Sequence, residues 1–358
     1  MADPSAAEAD RSEEFAQRIR DAVKHRQPLR IVAGGTKDTL VGRRCEGTPF
    51  VVREHQGIVR YNPKELVMTA RAGTPIAWLR AVAAEQGQTL PGEAPEFHGR
   101  GTLGGTLASG LLGPARPWQG SLRDAVLGIR LINGRGEILR LGGEVIKNVA
   151  GYDLSRFQAG GLGCFGLILD VSLRLIPTPR ERRYIALPCT LRDAITRMRR
   201  LSVAPLPLTG ASWFEDSLQL RFEGSTSALD AVSRRLGPGE DGTPDFWEDL
   251  REWRLPPQAR ESMPWVLDVA PARAASTEHP ATLVDWAGAR RWHPGTLSPD
   301  RAQLLAGVGG HAIRYGAGAE DADAIPAPPA ANRMLLRRLK KAADPEAVLN
   351  PGRMFPWL

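Results

Sequence analysis

Apolar residues recur at Phe15, Ile19, Ala22 and Val23 among charged neighbours, a spacing that predicts an amphipathic helix over 12–25. The period then shortens. Leu29 to Ala33 predicts a strand that runs directly into Gly34-Gly35-Thr36-Lys37. Strand patterns follow at 49–53, 57–61 and 66–71, with Asn62-Pro63 turning the chain between the last two. Thr74 as cap and Pro75 at the first position predict a helix with Ile76, Leu79 and Ala83 on one face, closed by Gly87. Val126 to Ile132 and Glu137 to Leu141 flank Asn133-Gly134, a hairpin signal. From Phe165 the alternation is regular: Phe165, Leu167, Leu169, Val171, Leu173 and Leu175 are expected to point one way.

After Pro177-Thr178-Pro179 glycine becomes sparse. A strand at 183–188, a helix at 190–201, strands at 209–214 and 217–223 and a helix at 225–236 give a β-α-β-β-α order. That order fits a ferredoxin-like antiparallel sheet with helices on one face. Residues 237–245 read as a loop. The pattern loosely recurs with strands near 264–269 and 282–288, a helix at 298–308 and a strand at 311–315. A Gly/Ala/Pro segment, 316–330, is expected to cross back without structure of its own, before a helix from Asn332 to Ala343 and the closing "DPEAVLNPGRMF". The fold class is α+β, with domains expected at 1–179 and 180–315 and a return segment at 316–358.

Composition narrows the function classes. The 358 residues leave room for two cores, and the absence of any eighteen-residue apolar run argues against a membrane-spanning helix. The opening MADPSAAEAD lacks a basic-then-apolar leader, and Cys45, Cys164 and Cys189 show neither CxxC nor metal spacing. A cytoplasmic protein without a metal site of its own is expected. The net charge of +7 raises the question of nucleic acid, but the basic residues are mostly arginines dispersed among acids. Nucleic acid is therefore not expected as a partner. Arg337 to Lys341 forms the one basic cluster, read as a solvated helix face or a surface for an acidic partner or headgroups.

Three glycine-rich stretches carry the candidate chemistry: Gly34–Lys37, residues 99–110 ("GRGTLGGTLASG"), and the loop from Gly142 to Gly163. Glycine lets backbone amides approach and converge on phosphate oxygens. Neither G-x-G-x-x-G after the first strand nor G-x-x-x-x-G-K-[ST] occurs, which removes the main support for Rossmann and P-loop readings. The stretch from Thr102 to Gly110 reads as a small-residue helix start whose amides would face a diphosphate.

The order "GGTK", "LVMTARAGTPIAWL", "TLGGTLASG", "GYDL…GGLGCFGLI" and "DPEAVLNPGRMF" resembles the two-subdomain FAD-binding fold of the vanillyl-alcohol oxidase type. Within it, "GPARPW" at Gly113–Trp118 and "GGEVIKNVAGYDLSR" resemble the smaller FAD-binding subunits of bacterial glycolate oxidases. The resemblance covers 28–179 and 309–358, and it implies a reduced ferredoxin-like cap between them. It implies non-covalent FAD held by Gly34, Gly35, Thr36 and Lys37, by Gly101, Thr102, Gly104, Gly105, Thr106 and Gly110, and by Gly160, Gly161 and Gly163, with Ile168 meeting the adenine-ribose side. It further implies a larger flavoprotein subunit and an iron–sulfur subunit as partners, a small 2-hydroxy acid as substrate, and at most peripheral association with the inner membrane face through those partners. The Trp-rich cap and the Arg337 to Lys341 helix would face the partners.

Several residues carry two readings. His98 is a flavin attachment point or a surface loop histidine; Cys164 is reactive or a buried filler. Tyr152 and Asp153 touch flavin or brace their loop, and Lys147 meets a phosphate or carboxylate or forms a surface pair. Oxidising a 2-hydroxy acid needs a carboxylate clamp and a base, and "GGHAIRYG" offers His311 with Arg314 and Tyr315 nearby. A histidine at a plain strand start is the competing reading. Trp247, Trp253, Trp265, Trp286 and Trp292 line a substrate pocket or form cap core or interface.

Overall fold

The computed structural model describes residues 10–143, 154–236, 240–316 and 324–358. They divide into two compact units, one of residues 1–112, 121–177 and 317–358, the other of 113–120 and 178–316. Lys147, Tyr152 and Asp153 lie outside the described residues.

The first unit is built on a five-stranded antiparallel sheet in the order Ile58–Asn62, Val67–Arg71, Leu167–Arg174, Val126–Ile132, Ile138–Gly142. One face carries the helices Ile76–Ala84 and Leu103–Ser109 over a core of Met68, Leu79, Leu107, Val171 and Leu173. Another core sets the helix Ser12–His25 against Leu29 and Phe50, with Phe15 meeting Phe50 edge to face at 5.2 Å. Leu29–Val32 and Thr48–Val51 pair in parallel, and Leu29 also bridges Leu349 of the returning C-terminus. The helix Ala330–Ala343 leads into that return.

The strand Leu167–Arg174 does not keep the expected single face. Its register against Val126–Ile132 slips between the Arg130–Asp170 and Leu131–Ile168 pairs, leaving Leu169 unopposed. This bulge turns the strand, so Leu167 and Leu169 pack with Phe15 whereas Val171 and Leu173 pack with Met68. Thr74 also departs from its expected capping role. Its hydroxyl takes the amide of Gly57 at 2.9 Å, and the helix begins at Ile76.

The second unit is one eight-stranded antiparallel sheet. Its first half, in the order Glu240–Asp241, Glu181–Pro188, Ser217–Gly224, Leu208–Phe214, has the ferredoxin-like arrangement with helices Leu191–Ser202 and Thr226–Leu236. Pairing of Trp213 with Val284 continues the sheet into Leu283–Asp285, Arg290–His293, Trp265–Asp268 and the edge strand His311–Arg314. Residues expected as a loop at 237–245 contain the short strand Glu240–Asp241 and the start of the helix Pro244–Glu252, whose Trp247 and Leu250 are buried. The expected strand at 282–288 ends at Asp285, and the charged-looking Arg290–His293 is a strand that is buried throughout.

Candidate functional site

The C-terminal segment organises the first glycine loop. Arg353 Nη1 donates to the carbonyls of Asp38 at 2.7 Å and Arg43 at 2.6 Å, while Nη2 donates to that of Lys37 at 3.2 Å. Burial lowers the pKa of this guanidinium, and its donors are satisfied by three carbonyls in place of water. Asn350 ties two more segments together. Its Oδ1 accepts from the Ile31 amide at 2.8 Å, and its Nδ2 donates to the Leu162 carbonyl at 2.7 Å. Lys340, expected in a solvated basic cluster, is instead buried at 6% exposure. Its Nζ donates to the carbonyls of Cys164 and Leu349, both at 2.8 Å, and pairs with Asp344 at 2.7 Å.

These anchored segments enclose a cavity of about 1410 Å³ in the first unit. Its volume exceeds the several hundred Å³ usual for small ligands and suits a dinucleotide. Gly34, Gly35, Thr36, Lys37, Thr102, Gly104, Gly105, Gly163 and Ile168 line it. Cationic side chains on the wall, Arg30, Lys37, Arg43, Arg44 and Arg353, outnumber the carboxylates Asp38 and Glu46. Arg43 Nη1 is buried without a partner. Among the described residues, the amides of Gly34, Gly35 and Thr36 make no hydrogen bond within the protein. Gly35 has φ +69°, a left-handed conformation that glycine adopts without strain, and a Cβ there would point into open space. Gly34 is required for another reason, because a Cβ would strike the carbonyl oxygen of Arg100. Lys37 is buried beneath this loop, with its ammonium 5.1 Å from the centre of the Phe97 ring.

The second glycine segment behaves differently from its sequence reading. Thr102 caps the helix Leu103–Ser109, its hydroxyl accepting from the Gly105 amide at 3.2 Å. Leu103 donates to Thr74, Gly104 to Ala72 and Thr106 to Thr102, so the amides from Leu103 to Thr106 are all engaged. This segment contributes bare Cα surface in place of amides. A Cβ on Gly104 would stand 2.6 Å from that of Ala72, whereas one on Gly105 would meet only the Thr102 hydroxyl, at 2.9 Å. Gly101, Thr106, Gly110, Gly160 and Gly161 do not line the cavity. Gly110 ends the helix in the left-handed region and lets Gly160 approach, and the Gly160 and Leu162 amides donate to Leu107 and Ala108.

The sulfur of Cys164 is fully buried and burial pushes its thiol up to about 11, so it stays protonated and unreactive. His98 is exposed and does not line the cavity. His311 and Arg314 lie on the edge strand of the second unit, with His311 exposed. Tyr315 is buried against Trp253 and Trp292. Trp247, Trp253, Trp265, Trp286 and Trp292 are all at most 8% exposed, which makes them core and excludes them as an exposed partner-facing surface. Gly113, Pro114 and Ala115 of the Gly113–Trp118 stretch are buried, whereas Arg116 and Pro117 are exposed. Gly113 accepts from Trp286 Nε1 at 3.0 Å and Arg116 stacks over the same ring. Sequence reasoning missed Arg43, Asn350 and Arg353, although the last two sit inside the quoted closing motif.

The wall chemistry fits a phosphate-bearing dinucleotide such as FAD: free amides, excess cations, a buried and unpartnered guanidinium nitrogen on Arg43 and a glycine leaving room. Comparison with known proteins agrees. The FAD binding domain family matches residues 5–142. The chain is 39% identical to the glycolate oxidase subunit GlcE of Escherichia coli over 98% of this chain and 99% of that protein. It is 30% identical to the glycolate oxidase subunit GlcD of Bacillus subtilis over 50% of this chain and 38% of that one. Alkyldihydroxyacetonephosphate synthase shares the fold, with a TM-score of 0.63 at 16% identity over 95% of this chain and 75% of that one. The chain belongs to the family of FAD-binding-domain proteins that includes the glycolate oxidase subunit GlcE.

Proposed function

We propose that this chain is the FAD-holding subunit of a glycolate oxidase-like complex, which oxidises a small 2-hydroxy acid to the 2-oxo acid. The observation that carries the reading is the 1410 Å³ cavity, where unpaired amides and surplus cations meet. The end-to-end match to a glycolate oxidase subunit supports it, as do partial matches to D-2-hydroxyglutarate and D-lactate dehydrogenases.

In this reading the Gly34, Gly35 and Thr36 amides hold diphosphate oxygens, and Arg43 with Lys37 offsets their charge. Gly105 leaves the space that a side chain would fill. Ile168 and Gly163 form the opposite wall through main chain anchored by Asn350 and Lys340. Bound FAD supplies a hydride acceptor. The substrate clamp and base come mainly from a larger flavoprotein partner, because His311 points to solvent on an edge strand. Three cysteines in the whole chain fall short of a four-cysteine cluster, so the iron–sulfur group belongs to another partner. No helix among the described residues is long and apolar enough to cross a membrane, and membrane contact would run through those partners.

Anaerobic mixing of the FAD-loaded chain with glycolate tests this. The flavin's visible absorbance should persist with the chain alone and bleach when the partner subunits are added. Bleaching by the chain alone, abolished in His311→Ala, would make the chain a self-sufficient dehydrogenase and overturn the subunit reading.

A further inference from the structure

A second cavity, of about 450 Å³, lies wholly in the second unit. It sits between the helices Leu191–Ser202 and Pro299–Ala306, against the strand Arg290–His293. Its lining combines two chemistries, the apolar Leu191, Ile195, Leu267 and Leu305 and the basic Arg273, Arg291, Arg301 and His293, with Leu267 directly across the strand pair from Arg291. Glu278 is the sole carboxylate on the wall and is taken by Arg301.

The polar groups here are costly to bury as they stand. Arg291 is 5% exposed and donates only to main-chain carbonyls, of Gly288 at 3.2 Å, Ala274 at 3.0 Å and Arg273 at 2.6 Å. Among the described residues neither Arg291 nor Arg273 meets a carboxylate, whereas the neighbouring Arg290 pairs with Asp268 at 2.9 Å. Burial and the nearby Arg273 pull the Arg291 guanidinium down to about 10, which is still charged at neutral pH. His293 is 3% exposed and its Nδ1 has no partner. A buried donor or acceptor left unpaired, beside an unmatched buried cation, is the arrangement that a bound anion would relieve.

We propose that this cavity binds a small organic carboxylate, its carboxyl group between Arg291, Arg273 and the His293 ring and its carbon body against the leucine and isoleucine side chains of the lining. The guanidinium of Arg291 retains donors beyond those its three carbonyls use, and a carboxylate takes such donors in pairs. A wholly inorganic anion would leave the apolar lining residues without a partner. The site is built from residues of the second unit alone, so it stands independently of the flavin reading.

The test uses the full chain labelled with ¹⁵N-histidine, whose six histidines make the His293 signals assignable by their loss in His293→Gln. Sodium butyrate is titrated at constant ionic strength, with sodium phosphate and 1-butanol as parallel arms. Butyrate should move the His293 signals saturably while phosphate and butanol do not saturate. Arg273→Gln, a change at an exposed side chain, should raise the half-saturating concentration roughly tenfold, the scale of one charge-assisted hydrogen bond. Arg291→Gln should abolish saturation, and if that variant does not fold, Arg273→Gln decides alone. No saturable shift with butyrate, unchanged saturation in Arg273→Gln, or saturation by phosphate or butanol would overturn the proposal.

Discussion

Two glycine-rich segments that look alike in sequence do different work. Gly34–Thr36 leaves its amides unpaired at the cavity, while the amides from Leu103 to Thr106 are consumed by Thr74, Ala72 and Thr102. In the first, glycine exposes backbone; in the second, it lets a short helix lie against Ala72 and leaves a bare surface at Gly105. A glycine cluster therefore reports close approach, and only the fate of its N–H groups says whether a ligand or the protein itself is approached.

The largest effect is expected from releasing the anchor that ties the returning C-terminus to the cavity's third glycine segment at Cys164. Lys340→Met leaves the fully buried Asp344 carboxylate without a counter-charge, held only by the Val348 and Leu349 amides, and strips the Cys164 and Leu349 carbonyls of their donor. The expected loss is about 3–5 kcal/mol in denaturant unfolding, the range for breaking a buried pair from one side. A loss under about 1 kcal/mol would show that the anchor is not needed.

The second unit supplies an internal control, since its polar burial is set by charge and not by amides. Burial, with Arg291 and His279 nearby, pulls His293 down to about 4. Arg273, Glu278 and Arg301 line the same cavity. The native ring stays neutral while the unfolded ring takes a proton below its ordinary value near 6.5. Stability from this group is therefore complete above about pH 6.5 and falls as pH drops toward 4, by up to about 3 kcal/mol. Unfolding midpoints of His293→Gln should lose that part of the pH slope.

Within the glycine segments the expected effects are smaller. Gly104→Val should cost about 1–3 kcal/mol through collision with Ala72, an overpacking effect seen in thermal unfolding whether or not ligand is present. Gly35→Ala meets no atom but forces a side chain into a left-handed conformation, for about 1–2 kcal/mol. Unchanged stability in Gly104→Val would remove the close approach to Ala72 as the reason for that glycine.

Much of the fold was legible because its periods are clean. The helix at 12–25, the hairpin around Asn133-Gly134 and the ferredoxin-like half all follow from spacing and turn residues. What escaped did so for local reasons. Arg290–His293 reads as polar surface, yet its arginines are buried by pairing with Asp268 and with main-chain carbonyls that no pattern displays. Alternation cannot register the bulge at Leu169, since one unopposed residue turns the strand without changing its composition. Lys340 looked like a member of a basic surface cluster, and the clue to its burial was the acid four residues on, Asp344. Of the site, the glycine positions could be read, but Arg353 and Asn350 take their roles from contacts more than three hundred residues away in sequence, with Ile31, Lys37, Asp38 and Arg43.

The central claim is that the first unit holds FAD non-covalently against unpaired amides and the bare face of Gly105. The direct measurement is the flavin released by acid precipitation from the purified chain and from Gly105→Val. The account predicts FAD, and no FMN, in the supernatant of the unmodified chain. It predicts loss of that flavin in Gly105→Val, which should keep a cooperative unfolding transition with the cap at Thr102 weakened by about 1 kcal/mol. Flavin retained in the pellet, release of FMN, or full FAD content in Gly105→Val would contradict it.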